Sequence, residues 1–115
     1  MVLEVKPYLE IELDFGSRTG VIRIDPYKVN SMERCKAIAK ELLMVEEVKK
    51  DARLMDDIYE NILYDICDMS EEYPHELLEM HIEFSSLLKL AIEIVNGVSE
   101  AVKVKKIADA VEGEV

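Results

Sequence analysis

The stretch "YLEIELDFGSRTGVIRIDP", Tyr8 to Pro26, decides the fold. Leu9, Ile11, Leu13 and Phe15 alternate with Glu10, Glu12 and Asp14, the period of a strand with one buried face. Gly16 and Gly20 bracket a turn. On the return Ile22 and Ile24 alternate with Val21, Arg23 and Asp25, which sets Arg23 across from the acidic side of the first strand. The reading is a β-hairpin over residues 8–25. A lone hairpin is marginal in water, so its apolar face must lie on helices or pair with another chain's strand.

The residues after the hairpin read as helix. Pro26 ends the second strand, and "NSME" places the side chain of Asn30 three residues before Glu33, the pattern of a helix start. Met32, Cys35, Ile38, Ala39, Leu42 and Val45 then recur at threes and fours. The polar segment "EEVKKDAR" leaves two readings open: a break with Asp51 as a new cap, favoured for a compact small domain, or one continuous helix. A second stripe, Met55, Ile58, Tyr59, Ile62, Ile66 and Met69, faces away from Asp56, Asp57, Glu60 and Asp68. A third helix is expected from Pro74 to Val95, with Leu77, Met80, Phe84, Leu87, Leu88, Ala91 and Val95 on its main side. Leu78, Ile82 and Leu90 lie off that stripe. Asn96–Gly97 reads as a stop, Ser99 as the cap of a short last helix, and residues 112–115 as a frayed tail. The expected fold is α+β and mainly α, with the N-terminal hairpin packed on a bundle of three to four helices, residues 31–111, in one domain spanning 1–115.

Composition sets the class of partner. The 115 residues carry a net charge of −11, with half of them apolar and a third charged, the balance of a globular protein that can bury one core without a metal or disulfide. Eleven acids and one base fall in residues 51–83, so nearly all the excess sits in one third of the chain. Such a field repels phosphates and anionic lipid heads and attracts a basic protein. No eighteen apolar residues run together, and "MVLEVKPYLE" has no uninterrupted apolar stretch, so neither export nor a membrane span is expected and the location is expected to be cytoplasmic. Cys35 and Cys67 are far apart, form no CxxC pair and fall where helical patterns continue, which reads as small core residues or bystanders and suits a reducing cytoplasm.

"DMSEEYPHELLEMH", Asp68 to His81, packs five carboxylates and two histidines into fourteen residues. It resembles a zincin motif, but that motif needs two histidines four apart on one helical face; six apart, His75 and His81 diverge by about 120°. His75 with Glu79, or Glu79 with Glu83, leaves room only for a weak divalent site. The acids otherwise occupy polar faces where water keeps them ionised, no nucleophile motif is present, and Asp65 and Asp68 beside Cys67 oppose thiolate formation. No enzyme activity, cofactor or metal is expected. What a monomer leaves unexplained is an apolar strip, Leu78, Ile82 and Leu90, beside the carboxylates Asp56, Asp57, Glu60, Asp68 and Glu79. Together they form an apolar contact ringed by negative charge, suited to an amphipathic basic helix or to self-association. The bland alternative is that the last helix or the "EEVKKDAR" segment covers the strip.

A short N-terminal hairpin with "DFG" before its turn, then "DP" and a set of acidic helices in 115 residues, resembles the small tail assembly chaperones of long-tailed bacteriophages in architecture and size. The resemblance implies a non-catalytic protein of the host cytoplasm that binds the tape measure protein, coats its apolar helical segments until the tail tube polymerises around them, and is absent from the finished virion; a homo-oligomer formed through the third helix is a separate expectation from the residues. A strongly negative coat would keep such a segment soluble. A second expectation from another class is an acidic mimic of nucleic acid that occupies the basic groove of a host defence or DNA-processing protein. A third is a plain structural dimer.

Overall fold

A computed structural model describes residues 5–14, 19–72 and 82–113. Strands β1 (Leu9–Asp14) and β2 (Thr19–Ile24) form an antiparallel hairpin, followed by helices α1 (Val29–Val48), α2 (Ala52–Met69) and α3 (Phe84–Gly113). The fold is α+β and mainly α, with the two-stranded hairpin packed on the three helices.

Register follows from the alternation. Leu9 faces Ile24 and Ile11 faces Ile22 on the buried side, while Glu10 faces Arg23 and Glu12 faces Val21 on the exposed side. Arg23 Nε donates to Glu10 Oε1 at 3.0 Å, the cross-strand ion pair expected from sequence. Gly20 does not bracket the turn but sits within β2 opposite Leu13; Gly16 lies outside the described residues. The far edge of β2 is met by the chain leaving α2, through a bridge between Ile24 and Ser70 and a 2.7 Å bond from the Glu71 N–H to the Arg23 carbonyl.

The break between α1 and α2 is real. Asp51 is extended (φ −107°, ψ 102°), and its carboxylate accepts from the N–H groups of Arg53 and Leu54 at 3.1 and 3.2 Å, so it satisfies donors that a helix start would otherwise leave unpaired. The start of α1 differs from expectation. Lys28 holds the cap position without a side-chain capping bond, its ammonium going to Glu71 instead, and Asn30 lies inside the helix, its amide donating to Asp68. The Asp25 carboxylate accepts the Tyr27 N–H at 2.9 Å, a local turn that lets the helix begin before Asn30.

Two expectations about the third helix fail. Ile82 and Glu83 are not helical and α3 starts at Phe84, so Pro74 to Val95 is not one helix. The Tyr59 hydroxyl donates to the Ile82 carbonyl, and the Glu83 carbonyl opens the helix by accepting from Leu87 N–H at 2.9 Å. At the other end α3 passes through Asn96–Gly97 without stopping and reaches Gly113, which places residues 112 and 113 in the helix and not in a frayed tail. Gly97 is present for packing: a Cβ there would meet both Leu9 δ carbons at 2.9 Å. Its bare surface seats β1 on the helix.

The core lies where the three helices meet the inner face of the hairpin. Ile22, Ile24, Ile38, Ile62, Ile66, Leu87 and Ile94 are fully buried, and Tyr59 and Phe84 pack ring to ring at 5.9 Å beside them. Cys35 and Cys67 are buried and unpaired, as small core residues.

Candidate functional site

Of the strip of sequence-predicted contact residues, the two that the structure describes are not freely exposed. Leu90 is only 5% exposed and belongs to the core, because β1 lies across the side of α3 from which it projects. Ile82 is half-buried against the same core. Among the described residues, Ile11 and Leu13 of β1 lie beside Ile82 and Leu90, and Val48 of "EEVKKDAR" and Val102 pack on the same core. Leu78 and Glu79 lie outside the described residues, as do His75 and His81.

What the packing leaves between β1 and the start of α3 is a groove of about 490 Å³. Ile11 and Leu13 from the strand and Ile82 and Leu90 from the helix side make its apolar lining. Around them stand the exposed carboxylates of Glu12, Asp14, Glu83 and Glu93, against a single lysine, Lys89. An apolar contact with negative charge around it therefore exists, and it retains Ile82 and Leu90 of the predicted set. The carboxylates around it are different ones. In the sequence, Glu12 and Asp14 read only as the wet face of a strand and Glu83 only as a partner of Glu79 in a weak divalent site; no periodicity within one element shows that β1 and α3 share a groove.

The predicted acids of α2 separate into two groups. Asp56, Asp57 and Glu60 are exposed on its outer face, and none makes an ion pair among the described residues. Asp68 is exposed as well but has partners on α1: Arg34 Nε donates to it at 2.8 Å and Asn30 Nδ2 at 3.2 Å. Arg34 also reaches Asp65 at 3.2 Å and lies over the Tyr64 ring at 5.6 Å, which ties α1 to α2. Asp65 is buried, and burial holds its carboxyl above the ordinary value of 3.8, an effect that the Arg34 guanidinium partly offsets.

Burial pushes the Cys35 thiol up to about 11 and raises that of Cys67 as well, so the thiolate is suppressed by the core more than by the neighbouring acids. Among the described residues no three His, Cys, Asp or Glu side chains converge as a metal site requires, and no described helix is long and apolar enough to cross a membrane. A second groove, of about 440 Å³, runs between α1 and α3 over Met32, Ala39, Val95 and Val102. All its charged lining residues are lysines: Lys36, Lys103 and Lys106.

Comparison with protein-family models, with curated proteins and with solved structures finds no match to the chain.

Proposed function

We propose that the protein is a non-catalytic binding protein that holds an apolar, positively charged segment of another protein in the groove between β1 and α3. The observation that carries this reading is the composition of that groove: four apolar side chains at its base, and four carboxylates with one lysine around them. Apolar contact supplies the affinity and the carboxylates select positive flanks. In the setting supplied by the resemblance to phage tail assembly chaperones, the partner is a tape measure protein and the role is to keep its apolar segments soluble until the tail tube encloses them.

The mimic reading draws on Asp56, Asp57 and Glu60, which stay exposed and unpaired among the described residues. It loses Asp68, whose charge is spent on Arg34. The two readings separate by mutation. Co-expression with candidate partners and affinity capture should fail for Glu12→Lys combined with Glu83→Lys and should persist for the triple neutral variant Asp56→Asn, Asp57→Asn and Glu60→Gln. Capture that survives the groove reversals and is lost on neutralising α2 would sink the groove reading in favour of mimicry.

A further inference from the structure

Four consecutive residues of β1, Ile11 to Asp14, border the groove. Neighbouring side chains of a strand point to opposite faces, so a groove that touches all four runs along the edge of the strand and not over one face. That edge is open. The sheet has the order β1-β2, and its other outer edge, on β2, is met by Ser70 and Glu71, whereas β1 has no second strand partner among the described residues. In an antiparallel pair, alternate residues aim both their N–H and C=O groups away from the partner strand. On β1 these groups border the apolar groove.

Resting on the capture reading above, we propose that the bound segment is extended and adds to β1 as a third strand, and that it alternates apolar residues with lysine or arginine. The alternation follows from the two faces of the sheet. Side chains on the inner face of an added strand would continue the layer of Ile11 and Leu13 over Ile82 and Leu90. Side chains on the outer face would stand beside Glu10 and Glu12, where opposite charge stabilises a cross-strand pair and like charge opposes it. The same rule opposes a second copy of this chain, through Glu12 above all, since Glu10 is already paired with Arg23. Two β1 strands pairing edge to edge with their apolar faces together would bring Glu10 and Glu12 of both copies onto one surface, a charge arrangement that keeps an open edge from self-pairing.

The test uses a synthetic peptide of about eight residues alternating lysine and valine, and a second of identical composition ordered with helical spacing. Binding is followed by fluorescence anisotropy and by hydrogen exchange at the β1 amides. The alternating peptide should bind about tenfold more tightly and protect β1 amides, and N-methylation on one backbone edge of the peptide should abolish binding. Equal or better binding of the helical-spaced peptide, lost with Glu12→Lys and Glu83→Lys but without new protection in β1, overturns strand addition while leaving capture in the groove intact. Failure of both peptides to bind overturns both readings. Protection of β1 in the peptide-free protein, accompanied by a dimer mass, gives the edge to a second copy and overturns the proposal.

Discussion

Arg34 stands between two carboxylates in unlike surroundings: Asp65, whose side chain is 9% exposed, and Asp68, at 34%. Removing the guanidinium leaves Asp68 hydrated but strands Asp65 in the core, and an unpaired buried charge is costly. Because Arg34 is itself about a third exposed and water can reach the vacated space, the expected cost of Arg34→Met is about 2 kcal/mol, below the range for a fully buried pair. The pH dependence has a definite sign. Asp65 titrates above 3.8 in the folded protein, so between 3.8 and that raised value the folded state holds a proton that the unfolded state has lost. The burial penalty is therefore absent below the unfolded value and fully present above the folded one. Without Arg34 the Asp65 carboxyl loses what lowers it and titrates higher still, so urea unfolding should show the Arg34→Met deficit at neutral pH and see it shrink as the pH falls from the variant's raised value towards the wild-type one. Adding Asp65→Asn should recover most of the loss at neutral pH; a deficit that is independent of pH and of Asp65 would mean that packing over Tyr64, not charge, is what Arg34 supplies. At Cys35 the thiol raised to about 11 predicts that iodoacetamide labels the native protein no faster than it unfolds. Rapid alkylation in the absence of denaturant would contradict the burial that raises it.

Among the elements, α3 carries the sharpest conflict between local and tertiary signals. Gly97 in mid-helix costs about 1 kcal/mol of propensity relative to alanine, and the Leu9 side chain occupies the space that results. Gly97→Ala should therefore change stability by less than about 1 kcal/mol, since the propensity gained is set against a shift of Leu9, whose δ carbons are the mobile end of its side chain. Gly97→Val reaches further and should destabilise by about 2 kcal/mol. Combining it with Leu9→Ala should restore part of that loss in thermal melts, whereas simple additivity of the two substitutions would show that β1 does not press on this position. Asn96–Gly97 misleads as a stop signal for the same reason: the sequence displays a glycine but not the strand that needs it. Other features were legible because their causes are local. The two-residue period of β1 and β2, the Arg23–Glu10 pair and the cap at Asp51 all follow from neighbours in the chain, and Asp51→Ala should cost about 1 kcal/mol through α2 alone. The groove was half legible. Ile82 and Leu90 betrayed themselves by lying off the main stripe, but their cover comes from residues about seventy positions earlier, which no helical period can reveal.

Across the whole molecule, charge is sorted by place. Carboxylates surround the β1–α3 groove and crowd the outer face of α2, while the α1–α3 groove has only lysines for charge. A net charge of −11 is more than solubility needs, and it makes the molecule a long-range target for cations. These two acidic regions act at different stages of binding if the groove is the docking site. Asp56, Asp57 and Glu60 do not line it, so their influence on an arriving basic segment is through the field, which governs the encounter and is screened over about 8 Å at physiological salt. Glu12 and Glu83 border the bound segment and act on the complex once it has formed. Stopped-flow binding of the alternating peptide should therefore divide the two. Neutralising Asp56, Asp57 and Glu60 together should slow association several-fold at low salt, flatten its salt dependence and leave dissociation nearly unchanged. Neutralising Glu12 and Glu83 should mainly accelerate dissociation. If the α2 variant instead dissociates faster than the groove variant, the outer face of α2 is itself the docking surface and the groove is only a seam between strand and helix.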